Sequence, residues 1–412
     1  MKINDIKVKR LPKSDLKNYH TDKQQVFCIG SKGIPACYGG YETFVEKLTA
    51  KRKSEKIRYH VSRIEKDSVR YMYNDAKCFD VNVPVKGSAK AIYYDIAALW
   101  HCINYCRARK IKNPVFYIMA CRIGPFILPA KKAIDKMGGV LYINPDGHEW
   151  KRSKWSKPVR RYWKVSERLM VKNADLLVCD SKNIEKYILK EYGKYKPNTT
   201  YISYGADIKE SKLSDTDEKF NNWLKANDLE KGKYYLIVGR FVPENNYETM
   251  LREFMKADTD KKLAVITTSD RRFKEELEEK TGFQNDNRIK FTGTVYDDEL
   301  LTKIRECAYG YIHGHEVGGT NPSLLEALGS TKINLLFDVG FNREVAESAA
   351  LYWNKDNDSL KKAIEKADLM DEAEVLKYGE KSKQRISDYY SWSYIVDQYE
   401  SLFLGKKIKH KR

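Results

Sequence analysis

Short runs rich in Val, Ile, Leu and Tyr alternate with helical patterns along the whole chain. In the first half they fall at residues 26–30, 57–61, 115–120, 140–144, 176–179 and 199–203, and in the second at 234–239, 263–267, 289–291, 309–313 and 333–337. Nearly continuous apolar runs are the mark of strands buried on both faces. Helical stretches of about 10 to 20 residues between them predict right-handed crossovers in parallel sheets. Two doubly wound, Rossmann-like α/β domains follow. The polar stretch 208–233 separates the two patterns and divides the chain into residues 1–205, 206–380 and a last segment, 381–412. That segment reads as a helix carrying Tyr389, Tyr390, Trp392, Tyr394 and Phe403, folding back toward the first domain and ending in a basic tail. Open parallel sheets bind ligands beyond the carboxyl ends of their strands, so two such domains predict a central cleft faced by those ends.

Composition sharpens the division. The 412 residues are 42% apolar and 12% aromatic, enough to build two cores. Residues 1–200 hold 42 Lys/Arg against 19 Asp/Glu, which leaves 34 against 38 for the rest, so all the surplus positive charge lies in the first half. One basic half beside a near-neutral one predicts that a single domain faces an anionic surface. The eight cysteines form no C-x-x-C pair and no zinc-spaced cluster, which predicts reduced thiols in a cytoplasmic protein. The polar first 25 residues do not read as a signal peptide, and the stretch 115–130 is broken by Arg122, Pro125 and Pro129 before it reaches the roughly 20 residues a membrane span needs.

Three loops after strands carry the candidate chemistry. GSKGIPACYGGYETFVEKL, 30–48, places Gly39 and Gly40 before a helix whose amides suit a phosphate, although an ordinary βα turn would use the same glycines. Its spacing is not G-x-G-x-x-G, which disfavours a nicotinamide or flavin, and no cofactor is expected. HGHEVGGTNPSLLEAL, 313–328, places Gly318 and Gly319 before Thr320 and the cap Asn321, a second anion site, with Glu326 in the early turns to meet sugar hydroxyls or simply the helix dipole. VGRFVPENN, 238–246, offers Arg240 at a strand end, to grip a diphosphate or to form a surface ion pair. On the other half, Asp146, His148 and Glu149 follow a strand end and are the polar candidates for orienting an acceptor hydroxyl or the donor sugar; a capped turn is the alternative. Asp180-Ser181 ends another strand, as a candidate or an N-cap. Asp-x-Asp occurs at 215/217, 258/260 and 356/358, none after a buried strand, so no metal site is expected.

GGYETFVEKL, YGAD (204–207), GRFVPEN and EVGGTNPSLLEAL resemble the successive motifs of the retaining GT-B glycosyltransferases of family 4. The first loop and NPDGHEWKRSKWS, 144–156, resemble more narrowly the bacterial β-1,4-rhamnosyltransferases of streptococcal-type capsule and cell-wall polysaccharide biosynthesis. The resemblance spans roughly 25–400. It implies a dTDP-β-L-rhamnose donor held by the second domain, with its diphosphate near Arg240 and Thr320, and an undecaprenyl-diphosphate-linked glucose or N-acetylglucosamine acceptor on the first. Glu326 matches the second glutamate of the family's pair and implies a ribose contact. The first would stand at Gly318, with Glu316 the nearest replacement at the donor sugar. The family's lysine five positions after the arginine is Asn245 here, with Arg271 or Arg272 as possible substitutes. Cationic and amide stabilisation of the departing diphosphate is then the main catalytic effect. The resemblance implies no protein nucleophile. Another nucleotide sugar on the same fold, or a non-catalytic GT-B scaffold, are the alternatives.

Residues 151–172 carry nine Lys/Arg against one acid, Glu167. Lys151, Arg152, Lys154, Trp155, Lys157, Arg160, Arg161, Trp163 and Lys164 are the candidates for docking on an anionic cytoplasmic membrane surface, with aromatic rings at headgroup level; a solvated helix whose rings join the core is the alternative. No helix-turn-helix, zinc finger or RNA-binding phrase is visible, so nucleic acid is not expected as a partner.

Overall fold

The structure, a computed structural model, describes residues 9–10, 22–37, 39–65, 69–85, 87, 89–152, 155–408 and 410. It divides into two compact units, one running to Tyr204 and resuming at Trp392, the other spanning Gly205–Ser391.

The first unit is built on β1 (Lys9–Arg10), β2 (Gln24–Ile29), β3 (Ile57–Ile64), β4 (Arg70–Tyr73), β5 (Ala76–Val81), β6 (Val115–Met119), β7 (Val140–Asn144), β8 (Leu176–Cys179) and β9 (Thr199–Tyr201). They lie in the order β1-β4-β5-β3-β2-β6-β7-β8-β9. β1 and β5 flank β4 antiparallel; all other pairs are parallel. Alternation sorts each strand onto two faces. Phe27, Ile29, Phe116, Ile118, Leu141 and Ile143 form one core with α2 (Ala89–Arg109), α3 (Gly124–Asp135), α4 (Lys157–Asn173) and α5 (Lys182–Tyr192), which follow α1 (Gly40–Ala50). On the opposite face Tyr117 meets Phe44 of α1 and both Tyr399 and Phe403 of the Trp392–Phe403 helix. Glu400 accepts the backbone N–H groups of Lys53 and Ser54, both at 2.9 Å, pinning that helix just past the end of α1.

The expected single helix over 381–407 is instead two. A helix over Glu372–Arg385 runs into one wider turn, Ile386–Tyr390, and the chain turns extended at Ser391 before the Trp392–Phe403 helix begins. Two masses of apolar surface, one in each unit, claim the flanking halves. β4 and β5 are not among the expected strands, since their alternating RYMY and AKCFDV lack the continuous apolar run. Their signal is Asn74-Asp75, both left-handed (φ 48° and 54°), the two-residue turn that matches strand twist.

The second unit has β10 (Tyr234–Val238), β11 (Lys262–Ile266), β12 (Ile289–Gly293), β13 (Gly310–His313), β14 (Ile333–Phe337) and β15 (Leu351–Trp353), all parallel, in the order β12-β11-β10-β13-β14-β15. Its strand faces pack into two clusters, one around Ile237, Val265, Ile312 and Leu335, the other around Leu236, Ala264 and Tyr311. The parallel strand order reverses between β2 and β6 in the first unit and between β10 and β13 in the second. Loops there splay apart and leave room for a ligand.

Candidate functional site

The switch point of the second unit brings together the Arg240 and Gly-Gly loops. Asn245 bonds both: its Nδ2 donates to the Arg240 carbonyl at 2.7 Å and its Oδ1 meets His315 Nδ1 at 2.9 Å. Asn246, left-handed at φ 56°, donates to the Gly314 carbonyl (2.8 Å) and to Glu316 Oε2 (3.1 Å), and the Glu316 amide donates to the Glu244 carbonyl (3.1 Å). Asn245 is therefore the brace of the site, since both ends of its amide are engaged. Glu316 is likewise committed, its carboxylate 2.6 Å from Lys355 Nζ. Arg240 is exposed, and its guanidinium has no partner among the described residues. Arg271 is spent in an exposed pair with Glu275 at 2.7 Å.

Gly318 takes φ 123°, a conformation only glycine adopts easily, and Asn321 caps the Pro322–Ser330 helix by accepting the Ser323 amide at 2.9 Å. Gly319 and Thr320, both buried, lead into that positive helix end. Below it Tyr311 and Ser323 both donate to the Val238 carbonyl at 3.0 Å, tying β13 and the helix to the end of β10. His313 sits beneath the loop, its proton affinity pushed down to about 3 by burial, and its Nε2 is enclosed without a hydrogen-bond partner. Glu326, half-exposed on the helix, pairs with the enclosed Arg305 at 2.7 Å.

The switch point of the first unit is tighter and more acidic. Arg122, just past β6, donates to the Gly30 carbonyl and to Asp95 Oδ2, each at 3.0 Å. Left-handed residues crowd here: Gly30, Gly33 and Gly39 after β2, Ala120 (φ 70°) after β6, then Asp146, Gly147 and His148 (φ 60°, 80° and 56°) after β7. Each non-glycine member stores about 1 kcal/mol or more, and strain of this kind collects at functional loops. Gly39 precedes α1 at φ 130°, and a side chain there would collide with the Glu42 carboxylate. That carboxyl is buried with one oxygen unpartnered, and burial raises its pKa against the pull of Lys32. Burial likewise raises Asp146, with Arg152 opposing and Glu149 assisting. Its backbone N–H is held by Asn144 Oδ1 at 2.8 Å.

The His148 ring lies tilted at 44° against Tyr187, 4.0 Å between ring centres, and its pKa is lowered to about 4, first by burial and then by Lys151 and Lys164. Glu149 pairs with Arg152 at 2.5 Å and accepts the Trp155 indole N–H at 2.8 Å, so its role is to hold the turn. Gly40 opens α1, while Asp180 is enclosed at the end of β8 and Ser181 caps α5.

The basic segment departs from expectation. Trp163 is buried and Trp155 lies against it with 6.0 Å between ring centres. Lys164 lies over the Trp150 ring at 4.5 Å and pairs with Glu191 at 2.8 Å, and Arg152 is held by Glu149. Trp163 packs inward with Trp155 against it, because an indole gains more by packing than by standing in water, and Arg152 and Lys164 are tied to carboxylates. Arg160 is half-buried; Lys151, Lys157 and Arg161 are exposed; Lys154 lies outside the described residues. Of the Asp-x-Asp pairs, Asp217 caps the Glu218–Ala226 helix and Asp215 pairs with Lys303 at 2.7 Å. No cluster of three His, Cys, Asp or Glu side chains placed to hold a metal occurs among the described residues, and no described helix is long and apolar enough to cross a membrane.

The sequence alone singles out neither Glu42, Arg122 and Asp95 nor His313 and His315. Glu42 lies two residues after the glycine pair and His313 ends a strand, which are usable signals; Arg122 and Asp95 meet only through tertiary folding.

Comparison with known proteins places these loops in context. Residues 219–385 match the family model of glycosyl transferases group 1, and residues 23–207 match a domain of unknown function, DUF1972. An uncharacterized glycosyltransferase of Methanocaldococcus jannaschii is 27% identical over 254 residues, covering 59% of this chain and 61% of the relative, so the chain spans about three-fifths of that relative's length. Among solved structures, sucrose-phosphate synthase of Thermosynechococcus elongatus superposes with a TM-score of 0.73 at 16% identity, over 93% of this chain and 99% of that one. A glycosyltransferase of Rickettsia africae gives 0.68 at 12%, over 93% and 98%. Anabaena HepE in complex with UDP and glucose gives 0.68 at 13%, over 93% and 100%. At such identities the likeness is one of fold.

Proposed function

We propose that the chain is a glycosyltransferase of the GT-B fold, with a group 1 domain over residues 219–385, and that it transfers L-rhamnose from dTDP-β-L-rhamnose, with retention and without a metal ion, to the sugar of an undecaprenyl-diphosphate-linked glucose or N-acetylglucosamine. The observation that carries glycosyl transfer is the β10/β13 switch point, where an unpaired Arg240 stands on a loop that Asn245 locks to the Gly318-Gly319 loop. Cleaving the sugar–phosphate bond leaves negative charge on the diphosphate. A guanidinium left unpaired on a loop held by Asn245 and the positive end of the Pro322–Ser330 helix stabilise that charge, and one such donor is worth about 10²–10³ in rate. Arg240 thus supplies charge that a divalent cation supplies elsewhere.

In the first unit, half-buried Asp146 and buried Glu42 are carboxyls suited to hold the hydroxyls of an acceptor sugar. The residue motifs of the opening loop and of 144–156 support rhamnose and the lipid-linked acceptor. A nucleotide sugar donor puts the reaction at the cytoplasmic face.

The test is direct. Purified protein is incubated with dTDP-rhamnose and undecaprenyl-diphosphate-glucose or -N-acetylglucosamine, with and without EDTA, and the lipid is weighed by mass spectrometry. Addition of one deoxyhexose, unchanged by EDTA, is expected. Addition of another sugar when a panel of nucleotide sugars is supplied overturns the donor, abolition by EDTA overturns metal independence, and no transfer from any donor overturns the enzyme.

A further inference from the structure

The acids and aromatics of α4 turn inward, and what they leave outside is a single row of cations. Lys157, Arg161, Arg168 and Lys172 are all exposed, and their spacings of four, seven and four residues keep them on one face of the helix. None of the four has a carboxylate partner among the described residues, whereas Arg152 and Lys164 on the same segment are paired. The one acid of the helix, Glu167, is buried and accepts the Tyr187 hydroxyl at 2.6 Å.

Alongside lies α3. Its Gly124 leaves no room for a side chain against the Ser166 backbone, and its amide donates to Ser166 Oγ at 2.8 Å, so the two helices are in close contact. The solvent side of α3 carries Leu128 at 50% exposure on the flank nearer Gly124 and α4 and Phe126 at 48% on the opposite flank, with exposed Lys132, Pro125 and Pro129 between them. Large apolar side chains left in water next to a file of unneutralised cations are poorly explained by solubility or by folding. Phosphate-backbone partners match the cations but leave Phe126 and Leu128 with nothing to enter.

From this juxtaposition we infer that the α3–α4 face of the first unit docks on an anionic lipid bilayer. Lys157, Arg161, Arg168 and Lys172 meet headgroup phosphates, and Phe126 and Leu128 enter the boundary of the acyl chains. The surface differs from the aromatic-basic segment expected from sequence, since it adds two apolar anchors from α3 and two cations from the far end of α4 and excludes Trp155 and Trp163. It goes beyond the transfer reaction and is measured without it, so failure of either leaves the other standing.

The experiment is sedimentation of the full chain with vesicles of phosphatidylcholine, alone or with a third of phosphatidylglycerol, at low and high salt. Binding to the anionic vesicles only, weakened by salt, is expected. Each cation near an anionic leaflet contributes about fivefold, so the variant with Lys157, Arg161, Arg168 and Lys172 all changed to Ala should bind several-hundredfold more weakly. Phe126→Ser with Leu128→Ser should lose on the order of tenfold while keeping its salt dependence. The six positions are exposed, and unchanged circular dichroism and melting confirm folding of each variant. Equal binding to both vesicle types, unaltered binding of the fourfold variant, or binding to RNA or duplex DNA without binding to vesicles overturns the docking surface.

Discussion

At the switch point of the second unit Arg240 stands exposed with no partner among the described residues, while at that of the first unit Arg122 is half-buried and locked to Asp95 and to the Gly30 carbonyl at 3.0 Å. Both sites lie where strand order reverses, and both rest on positive-φ glycines, Gly318 in one and Gly30, Gly33 and Gly39 in the other. Their charges are disposed in opposite senses. In the second unit the carboxylates are already neutralised, Glu316 by Lys355 and Glu326 by Arg305, which leaves a cation for an anionic ligand. In the first unit the cation is consumed in the scaffold and the carboxyls of Glu42 and Asp146 are held with raised pKa by burial, a setting for neutral hydroxyls. The two switch points of one fold class thus differ in which charges they leave unpaired, a cation in the second unit and carboxyls in the first.

The sharpest way to break this contrast is Arg240→Ala. Transfer should fall about 10²–10³-fold in kcat/KM while the unfolding temperature stays put, because the guanidinium bonds nothing in the protein. An unchanged rate would remove Arg240 from the diphosphate. Asp146→Asn should lower transfer about 10- to 100-fold and leave the affinity for thymidine diphosphate, read by calorimetry, at its original value. Loss of nucleotide affinity would show that the first unit holds the donor as well.

Glycine substitution separates the two sites by stability. Gly39→Ala meets both an unfavourable φ and the Glu42 carboxylate and should destabilise by about 1–3 kcal/mol, lowering Tm by several degrees. Gly318→Ala meets only its φ, its nearest neighbour being His315 Nε2 at 3.6 Å, and should lose less. Equal losses would deny Glu42 its enclosed place. The smallest effect concerns His148, whose pKa falls from its ordinary 6.5 to about 4. A group that resists protonation when folded supports stability fully above pH 6.5 and loses that support as pH drops toward 4. His148→Asn should flatten this part of the acid limb in urea titrations, and an unaltered limb would assign it to other groups.

Much of this was legible in the chain. Continuous apolar runs marked the central strands, and the glycine pairs and Arg240 marked the loops that the strand order brings to the switch points. The hairpin of β4 and β5 was missed because its alternating pattern looks polar until Asn74-Asp75 is read as a turn. In the basic segment, charge and aromatic content are properties of a stretch, whereas exposure belongs to one side of a helix. Nothing in the order of residues says that Trp163 faces the core and Arg168 the solvent until α3 lies across α4.

Periodicity and backbone chemistry are local, so strands, crossovers and the glycine-bearing turns could be read one residue after another. Pairing is not local. Whether Asn245 binds a ligand or braces a loop, whether Glu149 is a catalyst or a strut, and whether Arg122 or Arg240 is the cation left over depend on neighbours brought together from distant parts of the chain, because the strength of a charge is set by what surrounds it.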